Sequence, residues 1–190
     1  MQVYIIHGWE GSPKEPMLRW LKSSLEKKSY GVAVPAMPNP GVPKIKAWVG
    51  KLAKTVSPDR NTILVGHSIG CQAILRYLQA LPPGKKIRGV VLIAPWMKLA
   101  EETMEEEGEE VMDIARPWLE TPIDFKKIKK RAGRIVAIFS DNDYYVPLDQ
   151  KAFFKKRLGA KVIMERNKGH FAVRDGTKKL PSALRAIIGF

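Results

Sequence analysis

The chain has 190 residues, of which 45% are hydrophobic and 27% are charged, and its formal net charge is +14. These proportions exclude a disordered chain, and this length buries a core without disulfides or metals, so we expect a single domain over residues 1–190. No apolar run approaches the roughly 18 residues of a membrane span, and a lone cysteine, Cys71, excludes an intramolecular disulfide and a cysteine-based zinc site.

The chain begins with MQVYIIHG, which has no basic segment before its apolar run and no small-residue cleavage site. It therefore predicts a first strand rather than a signal peptide, and together with the single cysteine it leads us to expect a cytoplasmic protein. Apolar periodicity predicts that strands and helices alternate from there to the end of the chain. The predicted strands are 3–6, 30–35, 62–66, 88–95, 134–140 and 160–165. The predicted helices are 16–29, 45–56, 69–81, 124–131, 147–158 and 179–188.

In the strand segments TILVG, GVVLIA and RIVAIF, apolar residues occupy both faces of the strand. Such strands are typical of the centre of a parallel sheet that helices cover on both sides. We therefore predict an α/β protein with three α/β/α layers, in which a doubly wound, mostly parallel sheet has about six strands. Functional sites in such sheets lie at the carboxyl ends of the strands.

The charges are unevenly spread along the sequence. Lysines and arginines recur in KSSLEKKS, KIKAWVGKLAKT, KKIKKRAGR and KKRLGAK, which predicts solvated faces, so we do not expect a nucleic-acid partner despite the net charge. Residues 101–113, EETMEEEGEEVMD, hold eight of the 19 acidic residues and no basic one. We expect residues 99–121 to be an acidic insert or a short lid. A mobile loop that folds back over basic surface and a segment that only adds solubility are both open.

The pentapeptide GHSIG at residues 66–70 matches the G-x-S-x-G nucleophile elbow, in which a tight strand-to-helix turn exposes a serine at the carboxyl edge of the sheet. The pattern alone is weak, because about one chain of this length in fifteen carries it by chance. Its context strengthens it, since a predicted strand precedes Ser68 and a predicted helix follows. We therefore predict Ser68 as a nucleophile.

Three histidines are available as the general base for Ser68. His67 is its neighbour in the chain, and adjacent side chains diverge at such a turn, so we expect a supporting role. His7 ends the first strand and is expected to shape the loop beside the site. His170 follows the last strand at the carboxyl edge, and we predict it as the base.

A catalytic histidine needs an acceptor on its second ring nitrogen. The segment FSDNDYYVP ends the strand before His170 and offers Asp141 and Asp143. We predict Asp143, because it lies further into the loop, whereas Asp141 is placed to cap the turn. For the oxyanion we predict the backbone N–H groups of Ile69, directly after the nucleophile, and of Trp9 in the loop HGWEGSP.

These motifs, with HGWEGSP, GHSIGC, RPW at 116–118, SDNDYYVP and GHF, resemble the small serine hydrolases related to retinoblastoma-binding protein 9, in the α/β-hydrolase superfamily. The resemblance covers nearly the whole chain and implies a compact α/β-hydrolase fold with little or no cap and the triad Ser68, Asp143 and His170. Some members are described as binding pocket proteins through Leu-x-Cys-x-Glu. That segment is absent here, since Cys71 is followed by Gln72 and Ala73.

The sequence thus predicts a serine hydrolase, resembling carboxylesterases, that cleaves small carboxylic esters or amides through an acyl-enzyme on Ser68 and needs no cofactor or metal. Five large residues are predicted to line an apolar acyl pocket: Trp96, Met97, Met112, Trp118 and Tyr144. Two alternatives remain open, a binding protein that uses its basic surface and an acyltransferase or perhydrolase with the same triad. Nothing in the sequence predicts an oligomeric state.

Overall fold

The computed structural model describes residues 1–190 as six strands and eight α-helices. The strands are β1 (Gln2–Ile6), β2 (Gly31–Ala33), β3 (Thr62–His67), β4 (Ile87–Ile93), β5 (Ala132–Ser140) and β6 (Lys161–Glu165). The helices are α1 (Pro16–Glu26), α2 (Ile45–Thr55), α3 (Ile69–Ala80), α4 (Glu101–Glu107), α5 (Glu109–Glu120), α6 (Phe125–Arg131), α7 (Gln150–Leu158) and α8 (Pro181–Ile188). A short 3₁₀ turn covers Val173–Asp175.

The predicted fold class is confirmed. All six strands pair in parallel in the order β2-β1-β3-β4-β5-β6. Helices α1 and α8 pack together on one face, and α2, α3, α6 and α7 form the layer on the other. Strand β3 is buried along its whole length, as a strand between two helical layers must be.

The acidic segment is helical rather than an irregular loop. Its residues form α4 and α5, which Gly108 separates with a φ of 91°. Glutamate is a good helix former, and each helix carries two glutamates in its first turn, where negative charge interacts favourably with the helix dipole. No helix of the structure combines the length and the apolar composition that crossing a membrane requires.

The strand order sets the position of the crevice at the carboxyl edge. From β1 the chain moves to β2 on one side, and it then returns to β3 on the other side of β1. The loops that follow β1 and β3 therefore separate at a topological switch point, where ligands bind in doubly wound sheets. Ser68 follows β3 directly, and Gly8 and Trp9 follow β1.

Two glycines allow α3 to pack closely against the sheet at this point. A Cβ on Gly66 would lie 2.7 Å from the backbone nitrogen of Cys71, in the first turn of α3. A Cβ on Gly70 would lie 2.7 Å from the carbonyl oxygens of both Ile6 and His7. Because these neighbours are backbone atoms, no side-chain rotation can relieve the contact.

We expect Gly70→Ala to lower the free energy of unfolding by about 2 kcal/mol, because the added methyl group overpacks the contact between α3 and β1. Thermal unfolding followed by circular dichroism should show a decrease in Tm of about 4–8 °C. The matched control is Gly50→Ala in α2, where an added Cβ meets no atom within 4 Å. This control should raise stability by up to about 1 kcal/mol, and equal destabilisation by both substitutions would contradict the packing argument.

Candidate active site

Ser68 occupies the turn between β3 and α3 with φ 52° and ψ −122°. A positive φ is uncommon for a residue with a Cβ and persists only where the surroundings impose it. Here the Ser68 N–H donates to the carbonyl of Ile93 at 2.9 Å, and the Ser68 carbonyl accepts from the N–H of Cys71 at 2.9 Å. The strand on one side and the first turn of α3 on the other thus hold the serine in this conformation.

The fold brings Ser68 together with His170, 102 residues further along the chain. Ser68 Oγ lies 2.8 Å from His170 Nε2. On the other side of the ring, His170 Nδ1 lies 3.0 Å from each carboxylate oxygen of Asp143. A carboxylate accepts hydrogen bonds, so Nδ1 carries the proton and Nε2 is free to accept from the serine hydroxyl.

Asp143 is held by the backbone of its own loop. Its Oδ1 accepts from the N–H of Tyr145 at 2.9 Å and from the N–H of Val146 at 3.0 Å. Its side chain is only 2% exposed, and the side chain of His170 is 9% exposed. These hydrogen bonds fix the orientation of the carboxylate towards the imidazole ring.

The loop that carries His170 is attached to the end of β5 by a feature that the sequence reasoning missed. Three consecutive side chains accept hydrogen bonds from three consecutive backbone N–H groups. The pairs are Asp141 Oδ1 with Asn167 at 2.8 Å, Ser140 Oγ with Lys168 at 3.0 Å, and Asn142 Oδ1 with Gly169 at 2.9 Å. The Ser140 hydroxyl also donates to Asn142 Oδ1 at 2.8 Å. The signal for this role in the sequence is the polar run Ser-Asp-Asn-Asp at residues 140–143.

His67 supports His170 rather than Ser68. Its Nε2 donates to the backbone carbonyl of His170 at 2.8 Å. Burial, with a smaller effect from the nearby His170, lowers the pKa of His67 to about 4, so the ring is neutral near pH 7. A neutral ring with its proton on Nε2 has a bare Nδ1, and this buried atom has no hydrogen-bond partner.

His7 is engaged on both ring nitrogens away from the serine. Its Nδ1 donates to the carbonyl of Gly8 at 2.9 Å, and its Nε2 accepts from the N–H of Met37 at 3.0 Å. Burial lowers the pKa of His7, which favours this neutral form. The same Gly8 carbonyl also accepts from the N–H of Gly11 at 3.2 Å. His7 therefore orders the loop after β1, as its position in the sequence predicted.

The two predicted oxyanion donors belong to the loop after β1 and to the first residue of α3. The N–H of Trp9 donates to no protein acceptor, and Trp9 lines the cavity that contains Ser68. Ile69 is the first residue of α3, where helix N–H groups lack an intrahelical acceptor. Because the Gly8 carbonyl and the Trp9 N–H belong to one planar peptide and point in opposite directions, the bonds to Gly8 also orient this N–H.

A cavity of about 530 Å³ lies over Ser68. Of the five residues predicted for the acyl pocket, Trp96 lines this cavity. The insert supplies further apolar lining through Leu99, Met104 and Val111, and Tyr145 lines it beside His170. No group of three or more His, Cys, Asp or Glu side chains is placed to hold a metal ion.

The four other residues predicted for this pocket lie outside its lining. Trp118 is fully buried in the core, where its Nε1 donates to the carbonyl of Pro43. The Met97 sulfur accepts from Gln72, and Met112 packs against the core from α5. The Tyr144 ring lies under the guanidinium of Arg174. Apolar spacing could not separate these packing roles from a pocket wall, because both bury the same side chains.

Helix α4 is joined to the loops that carry Asp143 and His170. The Tyr145 hydroxyl donates to Glu107 and accepts from Arg174 Nη2, the latter at 2.7 Å. Arg174 Nε donates to the Tyr144 hydroxyl at 2.6 Å, and Thr103 donates to the Tyr144 carbonyl at 2.5 Å. The insert therefore forms one wall of the cavity instead of projecting into solvent.

Comparison with known proteins identifies the family to which the chain belongs. A protein-family model described as serine hydrolase matches residues 3–188. YdeN of Bacillus subtilis (strain 168) is 29% identical over 181 residues, which are 95% of this chain and 90% of YdeN. Serine hydrolase RBBP9 of Rattus norvegicus is 25% identical over 167 residues, which are 87% of this chain and 78% of RBBP9.

Solved structures show the same fold. The crystal structure of the ydeN gene product of B. subtilis has a TM-score of 0.88 and 28% identity, and the match covers 99% of this chain and 97% of that one. A carboxylesterase structure from Nitrososphaera gargenis has a TM-score of 0.74 at 13% identity and covers 99% of this chain and 89% of the other, which shows a shared fold. The resemblance inferred from the motifs is confirmed, and the chain belongs to the serine hydrolase family.

Proposed function

We propose that this protein hydrolyses small carboxylic esters, and amides more slowly, through a covalent acyl-enzyme on Ser68. The observation that carries the proposal is the continuous path from Ser68 Oγ through His170 to Asp143, with distances of 2.8 and 3.0 Å. A serine hydroxyl is a weak nucleophile unless an adjacent base accepts its proton. This path supplies the base and the acceptor that orients it.

In the first half of the proposed reaction, Ser68 Oγ attacks the carbonyl carbon of the ester and its proton moves to His170 Nε2. The resulting imidazolium is stabilised by Asp143, which the N–H groups of Tyr145 and Val146 hold in place. When the tetrahedral intermediate collapses, the bond to the alcohol oxygen breaks and His170 returns the proton to that oxygen. The alcohol leaves, and the acyl group remains on Ser68.

In the second half, water takes the place of the alcohol. His170 Nε2 removes a proton from water as its oxygen attacks the acyl carbon, and the bond to Ser68 Oγ then breaks as the serine regains a proton. The N–H groups of Trp9 and Ile69 would donate to the oxyanion in both halves, and one such donor contributes on the order of 3 kcal/mol to transition-state stabilisation.

The cavity supports a small substrate that is partly apolar. Its volume of about 530 Å³ lies in the range of small-molecule sites. Trp96, Leu99, Met104 and Val111 offer an apolar surface to an acyl chain on the side of the insert. Ester cleavage is favoured over amide cleavage because an alkoxide is a better leaving group than an amine anion.

The first prediction from this proposed mechanism concerns the nucleophile. Ser68→Ala should lower kcat for p-nitrophenyl butyrate by a factor on the order of 10⁴ or more, because no other group can form the acyl-enzyme. A fluorophosphonate probe should label the wild type and the control Ser57→Ala, which removes an exposed hydroxyl, but not Ser68→Ala. Equal labelling of Ser68→Ala would refute the proposal.

The second prediction separates the two candidate carboxylates. Asp143→Asn should lower kcat by a factor of about 10³ to 10⁴, because an amide can donate to His170 Nδ1 and so select the wrong tautomer. The matched control is Asp141→Asn, because the Asp141 carboxylate accepts a hydrogen bond only from the N–H of Asn167. Its kcat should fall by less than about tenfold. Steady-state kinetics of both variants measures the difference, and a larger loss at Asp141 would overturn the assignment.

The third prediction concerns His7 as a positioning residue. His7→Phe removes the hydrogen bond to the Gly8 carbonyl that orients the Trp9 N–H. We expect kcat to fall about tenfold while KM stays nearly constant, because an oxyanion donor acts mainly in the transition state. His7→Asn retains a short donor to this carbonyl and should recover part of the loss. A rise in KM at unchanged kcat in His7→Phe would contradict this role.

A further inference from the structure

The fold gathers cations that are scattered in the sequence. Two cavities lie at the amino edge of the sheet, opposite the edge that carries Ser68. The first, of about 450 Å³, is bounded by residues 83–86 before β4 and by the last residues of α6 before β5. The second, of about 560 Å³, is bounded by the start of β5, the start of β6 and α8.

Both cavities are lined by cations and by no acidic side chain. Arg88 lines neither cavity but belongs to the same edge, because its neighbour Gly89 pairs with Arg134 at the start of β5. We refer to these cations together as the basic edge. It consists of Lys85, Lys86, Arg88, Lys127, Lys130, Arg131, Arg134, Lys161 and Arg185.

Most of these charges have no partner within the protein. Lys127 alone forms an ion pair, with Asp124 at 3.6 Å. Arg131 is fixed by hydrogen bonds from Nη1 to the carbonyls of Leu78 and Gln79, and Arg134 donates to the carbonyl of Gly189. Because carbonyl oxygens carry no formal charge, these contacts orient the guanidinium groups without neutralising them.

The opposite edge has the opposite character. Glu10, Glu15 and Glu107 line the cavity over Ser68, where Arg174 is the only formal cation. The charges of α4 and α5 add to this negative potential. A polyanion is therefore repelled from the candidate active site and attracted to the basic edge.

In contrast to the expectation from the sequence, we propose that the basic edge binds the phosphate backbone of double-stranded nucleic acid without reading its sequence. Single strands are bound by exposed aromatic rings on which bases stack, and the only aromatic residue in either lining, Phe190, is buried. Surfaces that bind membranes insert exposed apolar side chains. The lining of the 450 Å³ cavity contains no apolar side chain, and none of the six in the lining of the 560 Å³ cavity is exposed. Point charges without stacking groups suit regularly spaced phosphates.

The test uses the full chain and fluorescence anisotropy with labelled duplexes of DNA and of RNA, each about 20 base pairs long. If four to six of the cations neutralise phosphates, the affinity should fall by about 10²- to 10³-fold between about 50 and about 200 mM salt. Comparison of the two duplexes identifies which nucleic acid is preferred. An absence of binding to both at the lower salt concentration would overturn the proposal.

Matched charge reversals distinguish binding at the basic edge from an effect of the net charge of the protein. Lys85→Glu/Lys86→Glu/Lys130→Glu changes the edge, whereas Lys46→Glu/Lys51→Glu/Lys54→Glu makes the same change of charge on exposed positions of α2. The edge variant should lose more than about tenfold in affinity and the α2 variant less than about threefold. Circular dichroism and thermal unfolding confirm that both variants fold.

Three results would contradict the proposal. The first is an equal loss of affinity in both triple variants, which would assign binding to the overall charge. The second is tighter binding to a single strand of the same length. The third is binding to vesicles of phosphatidylcholine with phosphatidylserine, sensitive to the edge variant, without binding to duplexes. Ester turnover should be unchanged in both triple variants, so the outcome is independent of the proposed hydrolase activity.

Discussion

The close approach of α3 to β1 and β3 is the constraint on which the rest of the site depends. Gly66 and Gly70 permit it, because a Cβ on either would lie within 2.7 Å of backbone atoms. Ser68, between them, adopts a positive φ and is held on one side by Ile93 and on the other by Cys71. Ser68 thus projects from the switch point of the sheet, beside the loop that follows β1.

The candidate triad is assembled by the ends of neighbouring strands. Ser68 follows β3, and Asp143 and His170 follow β5 and β6, so parallel pairing alone brings all three to one edge. The remaining adjustment comes from Ser140, Asp141 and Asn142, which hold the backbone that leads to His170. Side-chain contacts at the end of one strand therefore set the position of a residue that follows the next strand.

The distribution of charge divides the molecule into two edges. Glu10, Glu15 and Glu107 line the cavity over Ser68. Lysines and arginines line the opposite edge, and of these only Lys127 forms an ion pair. The sequence predicts that the basic residues lie on separate solvated faces. They meet because strands of a parallel sheet all begin at the same edge, which collects the residues that precede each strand.

The sequence by itself determined the alternation of strands and helices and the parallel sheet, because local apolar periodicity encodes these features directly. It also gave the candidates Ser68, from glycine spacing, and Asp143 and His170, from their positions after predicted strands. Only the tertiary structure decided which apolar side chains line the cavity, so that Trp96 does and Trp118 does not. It also decided that the acidic segment is helical and forms a wall of that cavity. Burial in a core and burial in a pocket impose the same residue types, and only contacts between distant segments distinguish them.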